Sequence, residues 1–398
     1  MPVTREPIAI LEVTTEEEAV LTLHTLLSMR GHPVHLFLSD EVYAPIASRL
    51  ALSDRDAVTM LPGGGMSTES FSQVAESLTV HDVKLVVLPR FSCTNLKLAA
   101  RYREFFRTFA TCVGAFDHRR WFGALPPLVF NGRKLIKLGR VLEWVTARMV
   151  FRAAASFFVS DPHRDSSNPL RSRFLVAGKP AFEVPFRLAA KDYRPTTDFT
   201  EVVFVIPGKI DGERRDYLGL LKSIKKLDQA HAWRLVLLGR PVGAYGRRVL
   251  AAAERLNRSS KRPLVQYFSE YVSREEFERV LAQATHVVGP APGRTYGKGK
   301  DSGALYDVFR CNKVGIFDED YFYDQRSPLR KALVTYRGPR ELRDVLRRVV
   351  SGEFDYRSLE AQFAHVADYL ATRSYVDHVG RNIDQIVPGA QPVGRTPP

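Results

Sequence analysis

Strand-sized apolar runs alternate with helix-length amphipathic stretches along almost the whole chain, and the alternation restarts once after a polar break. IAILEV (8–13), PVHLFLS (33–39), AVTML (57–61), KLVVLPRF (84–91), TCVGAFD (111–117) and SFFVS (156–160) read as strands. Helices are predicted over about 15–29, 96–109 and 133–154. KLVVLPRF in particular is apolar without alternation, as a strand covered on both faces must be. Strand–helix–strand repetition builds a parallel sheet with right-handed crossovers. KDYRPTTDFT (191–200) is polar, contains Pro195 and lacks periodicity, so it reads as a linker. The pattern begins again with EVVFVIPG (201–208), WRLVLLG (233–239), LVQYF (264–268), HVVGP (286–290), KVGIF (313–317) and LVTY (333–336). Helices are predicted near 214–227, up to 257, and over 274–284, 303–311 and 339–350.

The fold class is therefore α/β, with two Rossmann-like domains, 1–190 and 201–352, facing an interdomain cleft. One further helix at about 356–386 fills a C-terminal segment (353–388), and the Pro/Gly-rich end (389–398) reads as a loose tail. Ligands of open parallel sheets bind outside the carboxyl ends of the strands, so the cleft is the expected site.

The 398 residues suffice for two cores, and no apolar run approaches the length of a membrane span. Cys93, Cys112 and Cys311 fit neither a metal spacing nor a disulfide framework, and a reducing, cytoplasmic setting is expected. The formal charge of +14 favours anionic partners. Nucleic acid is not expected among them, because no helix-turn-helix, zinc spacing or aromatic-rich RNA-binding strand is present. Neither a Walker-type phosphate loop nor a GxGxxG fingerprint follows a strand.

In the helix near 133–154, Leu135, Leu138, Leu142, Val145 and Met149 form the stripe expected to be buried. Arg133, Lys137, Arg140, Arg148 and Arg152, with Trp144 among them, form a basic face. That face is either solvated or docks at an anionic membrane surface through residues 133–152, which would place the protein at the inner face of a membrane. Asp318-Glu319-Asp320 reads as an exposed acidic loop rather than a metal site.

Several segments, in order from about residue 8 to 350, resemble the GT-B glycosyltransferases of the group-one (retaining) type. The opening helix ends in Arg30-Gly31-His32, where glycine supplies a left-handed turn. RVLEWVTARMVFRAAASFFVS is similar to the helix and strand that end that family's first domain, and GKPAFEVPFRL (178–188) to the stretch where the chain leaves it. The family's glycine-rich first loop is replaced by Val13-Thr14-Thr15.

The resemblance implies roles for individual residues. Asp117 and His118 close a strand of the first domain, where the family has a polar residue near the donor and acceptor. Imidazole or carboxylate there would serve as a base. Lys209 and Arg214 occupy the places of the family's Arg and Lys, which stabilise the departing diphosphate; Arg215 is a neighbour able to substitute. Glu270, Tyr271 and Val272 fall where relatives contact the nucleotide base. In TYGKGKDSGALYDVFRCNKVGIF, Asp307 matches the glutamate that grips the ribose, and the first of the family's two loop glutamates falls on Gly299. Gly297, Gly299, Ser302 and Gly303, with Lys298 and Lys300, form a loop before a helix that presents N–H groups to phosphate.

The resemblance thus implies a metal-independent transferase, without a cofactor, that uses a nucleotide-diphosphate sugar as co-substrate. Its acceptor would be lipid-linked or a cell-envelope glycan. The missing glutamate and first loop leave a non-catalytic binding or scaffold protein as the alternative, and a basic nucleic-acid-binding protein as the second alternative.

Overall fold

The computed structural model describes residues 5–13, 16–63, 65–91, 93, 95–114, 130–131, 134–135, 138–160, 181–184, 188–189, 193–228, 230–291, 302–322 and 328–386. The chain divides into two compact units, Met1–Phe186 with Arg373–Pro398, and Arg187–Thr372.

The first unit holds strands β1 (Ile8–Glu12), β2 (Val34–Ser39), β3 (Ala57–Leu61), β4 (Leu85–Leu88), β5 (Thr111–Gly114), β6 (Phe130–Asn131), β7 (Lys134–Leu135), β8 (Ser156–Ser160) and β9 (Ala181–Val184). Seven of them form one sheet in the order β3-β2-β1-β4-β5-β8-β9. Every pairing in it is parallel. All residues of β1, β2, β4 and β5 are buried, which explains why these runs lack alternation. Phe71, Phe91, Tyr102, Phe105, Phe106, Phe151 and Phe157 build the core beside the sheet. Their rings meet edge-on, Phe71–Tyr102 at 4.8 Å and Phe91–Phe151 at 5.4 Å.

The helix expected over 133–154 spans Leu138–Phe151 instead, and the β6–β7 hairpin occupies part of its expected start. Its buried face is also not the expected stripe. Thr146, Ala147 and Val150 are fully buried, with Glu143 nearby, whereas Leu142, Val145 and Met149 are half-buried. Two stripes at helical spacing are interleaved there. The one with small residues faces the Leu96–Thr108 helix, because Ala147 permits close approach and the Thr146 hydroxyl donates to the Cys93 carbonyl.

The second unit holds β10 (Val202–Pro207), β11 (Trp233–Leu238), β12 (Val265–Tyr267), β13 (His286–Gly289), β14 (Val314–Asp318) and β15 (Val334–Tyr336). They form a wholly parallel sheet in the order β12-β11-β10-β13-β14-β15. Tyr193, in the stretch read as a linker, is a buried anchor of this unit. Its hydroxyl donates to the Lys313 carbonyl at 3.0 Å, and its ring packs on Phe309 and Phe363. His286 is buried between the Thr285 hydroxyl (2.8 Å) and the Tyr356 hydroxyl (2.9 Å). Burial pushes its pKa down to about 3.

The single C-terminal helix expected at about 356–386 is two helices, Arg357–Tyr369 and Thr372–Ile386. They bury their apolar faces in different units. Phe363 packs in the second, while Asp384 pairs with Arg5 and Arg30 of the first, each at 3.1 Å.

Candidate functional site

The strand order reverses beside β10: the chain adds β11 and β12 on one side of it, then β13 to β15 on the other. Loops leaving β10 and β13 therefore diverge at the carboxyl edge of the sheet and leave a crevice, the place where open α/β sheets take ligands.

The first loop is built to hold its shape. Gly208 has φ +104°, a conformation that suits glycine. Gly239 lies so close that a Cβ there would stand 2.1 Å from the Gly208 carbonyl oxygen. Ile210 N–H donates to the Arg240 carbonyl and Val242 N–H to the Ile210 carbonyl, both at 3.0 Å, stapling this loop to the one after β11. The Tyr217 hydroxyl donates to the Lys209 carbonyl at 3.1 Å. Asp216 caps the next helix by accepting from Gly219 N–H, and its own N–H donates to the Ala291 carbonyl in the loop after β13.

The second loop is held at both described ends. Two buried tyrosine hydroxyls, Tyr336 and Tyr321, donate to the carbonyls of Gly289 (3.0 Å) and Pro290 (3.1 Å). At the far end Ser302 begins the Gly303–Arg310 helix, but its Oγ does not cap that helix. It accepts instead from Arg215 Nη2 at 3.0 Å. Arg215 is 3% exposed, and its Nη1 donates to the Pro207 carbonyl at 2.5 Å. One guanidinium thus spans the end of β10 and the start of the helix after β13. Its charge and the helix N-terminus both bring positive potential to this edge. Among the described residues, a Cβ on Gly303 would meet nothing within 4 Å.

The site residues expected from sequence fall as follows. Lys209 is exposed, and Arg214 is half-buried, 3.9 Å from Asp211. Ser302, 2% exposed, and half-buried Gly303 begin the helix after β13. Asp307 is 2% exposed and accepts from Arg310 at 3.1 Å, and Arg310 also binds Glu278 at 2.8 Å. Burial alone would lower the pKa of Arg310, but the carboxylates of Asp307 and Glu278 raise it above the ordinary value. Glu270 and Tyr271 are exposed, Tyr271 to 79%, while buried Val272 anchors their segment between β12 and the Arg274–Gln283 helix. Asp117, His118 and Gly299 lie outside the described residues, as do Arg133, Lys137, Gly297, Lys298 and Lys300. Of the basic face, Arg148 and Arg152 are exposed, and Arg148 stacks 4.0 Å above the Trp144 ring.

The exposed acidic loop read at 318–320 is corrected in part. Asp318 is buried at the end of β14, and burial raises its pKa. Glu319 pairs with Arg330 at 2.6 Å and with Arg337. Among the described residues no cluster of His, Cys, Asp or Glu has a metal-binding arrangement, and no helix is long and apolar enough to cross a membrane.

Sequence reasoning ranked Arg215 behind Arg214, and the structure makes Arg215 the buried cation. It also missed the switch point of the first sheet, between β1 and β4. There Glu16 accepts from Arg90 at 2.9 Å, and Glu12 is buried at the end of β1. The available signals were an acid closing an apolar strand and an arginine interrupting KLVVLPRF.

No protein-family model and no curated protein matches the sequence. Solved structures do match over nearly the full length. A lipopolysaccharide outer core galactosyltransferase in its apo form is 12% identical, with 96% of this chain and 99% of that chain covered and a TM-score of 0.54. A glycosyltransferase from Rickettsia africae is 9% identical, covering 97% and 100%, with a TM-score of 0.60. A UDP-forming α,α-trehalose-phosphate synthase from Burkholderia vietnamiensis is 10% identical, covering 98% and 100%, also at 0.60. The chain therefore has the GT-B fold that these glycosyltransferases share. A fold at this level of identity does not fix a reaction.

Proposed function

We propose that this protein is a glycosyltransferase that takes its sugar from a nucleotide-diphosphate sugar bound at the switch point of the second unit. The observation that carries the reading is Arg215, which ties the end of β10 to Ser302 at the start of the Gly303–Arg310 helix. As the bond from sugar C1 to the diphosphate breaks, negative charge gathers on the departing phosphate. Lys209 and Arg214 on the β10 loop, with the amides at Gly303, supply fixed positive charge for it. Fixed cations of this kind do the work of a metal, so the proposed reaction is metal-independent and uses no cofactor. Glu270, Tyr271 and Val272 would border the base, and Asp307 the ribose.

The acceptor would be handled by the first unit, with Asp117 or His118 as candidate base. An acceptor that is lipid-linked or a cell-envelope glycan would suit the exposed Arg148, stacked on Trp144, and the exposed Arg152, and would put a cytoplasmic protein at the inner face of an anionic membrane. The UDP-forming neighbour makes UDP-sugars the first donors to try.

A second reading, a non-catalytic GT-B binding or scaffold protein, is favoured by one observation: the Asp307 carboxylate is buried against Arg310.

Thermal stability against UDP-, GDP- and TDP-sugars, without and with magnesium, tests the proposal. A donor at about 100 times its dissociation constant adds roughly 2.7 kcal/mol. A magnesium-independent upward shift with one donor class, lost in Lys209→Ala, is the expected result. No shift with any donor would sink donor binding. A shift without release of nucleoside diphosphate in the presence of candidate acceptors would favour the scaffold reading.

A further inference from the structure

Positive charge in the second unit is gathered on one side of its sheet. Right-handed crossovers put the Tyr217–Ile224 and Gly243–Arg258 helices on the same face. The Gly338–Val350 helix packs beside Tyr217–Ile224, which therefore lies in the middle of three. Each helix buries an apolar stripe: Leu220 and Ile224, Val249 and Leu256, Leu342 and Leu346.

The opposite sides carry cations. Lys222, Lys225 and Lys226 stand on and just after the middle helix. Arg247, Arg248, Arg255 and Arg258 stand on the second, and Arg340, Arg343, Arg347 and Arg348 on the third. All are exposed except half-buried Arg343. Against these eleven cations the three helices carry only Glu254, Glu341 and Asp344, with Asp216 and Asp228 flanking the middle one. Glu254 pairs with Arg258, and Glu353, just past the third helix, with Arg347. Among the described residues, Lys222, Lys225, Lys226, Arg247, Arg255 and Arg340 have no carboxylate partner. The helices on the other face do not share the excess. Arg274–Gln283 carries Arg274 and Arg279 against Glu275, Glu276 and Glu278, and Gly303–Arg310 carries Asp307 and Arg310.

Like charges gathered in this way repel one another and attract an anionic surface. The longer helices run about 20 Å, and three side by side at about 10 Å spacing make a broad, flat face. Among the described residues no large apolar side chain is exposed along them; Val242, at the start of the second, is 37% exposed. The Tyr245 ring is half-buried with Arg248 5.7 Å above it, so it is not open for base stacking. A flat array of cations with neither an apolar wedge nor stacking rings suits the headgroups of an anionic bilayer better than nucleic acid. We infer that this face docks on an anionic phospholipid membrane by electrostatic adsorption, with the three helices lying along the surface. A lipid-linked acceptor gives such docking a use, but neither donor binding nor Arg148 and Arg152 of the first unit is needed for it.

Flotation of the full chain with phosphatidylcholine vesicles, with and without phosphatidylglycerol, tests this. Wild type should float with the phosphatidylglycerol vesicles at about 0.05 M salt, come off at about 0.5 M, and ignore phosphatidylcholine alone. Lys222→Gln/Arg255→Gln/Arg340→Gln removes one cation from each helix. At about fivefold for each, its partition constant should fall about 100-fold. Lys222→Arg/Arg255→Lys/Arg340→Lys should bind as wild type does. All three side chains are exposed, and an unchanged Tm checks that the fold is kept. Wild type left unbound at low salt overturns the inference, as does a neutral triple variant that binds like wild type. Binding lost in Arg148→Gln/Arg152→Gln but kept in the triple variant would move the docking to the first unit. A random single-stranded oligonucleotide that strips the protein from the vesicles at low salt would assign the face to nucleic acid, and overturns it equally.

Discussion

Arg215→Ala removes a buried side chain that joins the two loops of the proposed donor site. Two charge-assisted hydrogen bonds disappear, to the Pro207 carbonyl at 2.5 Å and to Ser302 Oγ at 3.0 Å. Hydrogen bonds to charged groups are worth about 1.5–3 kcal/mol each, and both acceptors sit where the arginine is 3% exposed, so the loss is about 3–6 kcal/mol. For a unit the size of Arg187–Thr372, 1 kcal/mol moves Tm by about 2–4 °C, which gives a fall of about 6–24 °C. Arg215→Lys keeps the charge but cannot reach both acceptors with a planar fork, and should recover about half. Donor affinity should fall about tenfold or more in both variants, because the helix start loses its tether. Differential scanning calorimetry with and without donor reads both effects. A Tm within about 2 °C of wild type, with donor binding intact, would refute the idea that this arginine organises the site.

Other expectations follow from single contacts. Gly239→Ala places a Cβ 2.1 Å from the Gly208 carbonyl oxygen, so the Gly208–Lys209 turn must move; Tm should drop and the donor-induced shift should vanish. His286 stays neutral down to about pH 3 in the folded protein but takes a proton near 6.5 when unfolded. Its contribution is complete above pH 6.5 and is lost as pH falls toward 3, at about 1.4 kcal/mol per pH unit. Urea titrations at pH 7.5 and 5.0 should show that fall in wild type, and a fall smaller by about 2 kcal/mol in His286→Gln. Arg90→Ala breaks a partly exposed ion pair and should cost under about 1 kcal/mol of stability, while raising KM for the acceptor and leaving the donor shift unchanged.

Much of the fold was written in the apolar runs. AVTML and SFFVS are strands with the predicted bounds, because a strand-length apolar run flanked by breakers has few alternatives. The helix over 138–151 was harder. Two stripes at helical spacing overlap in it, and only packing against the Leu96–Thr108 helix decides between them. The break between Tyr369 and Thr372 was invisible for a similar reason, since the two helices look continuous until their apolar faces are assigned to different units.

The candidate site was legible in outline through its order of elements. Which of Lys209, Arg214 and Arg215 turns inward was not. That depends on the Gly208 turn and on Ser302, whose Oγ is 87 residues away in sequence from its guanidinium partner. The Asp307–Arg310 pair was within reach, because i,i+3 spacing on a helix brings such charges together.

The central claim is that a nucleotide-diphosphate sugar binds at the carboxyl edge of the second sheet, between the loops after β10 and β13. Hydrogen–deuterium exchange of the full chain with and without a saturating UDP-sugar tests it most directly, residue stretch by residue stretch. Protection confined to Gly208–Asp216 and Ser302–Leu305, with no change at the amino ends of β10 and β13, is the predicted result. Saturation without protection of either stretch, or protection found only in the first unit, would contradict it.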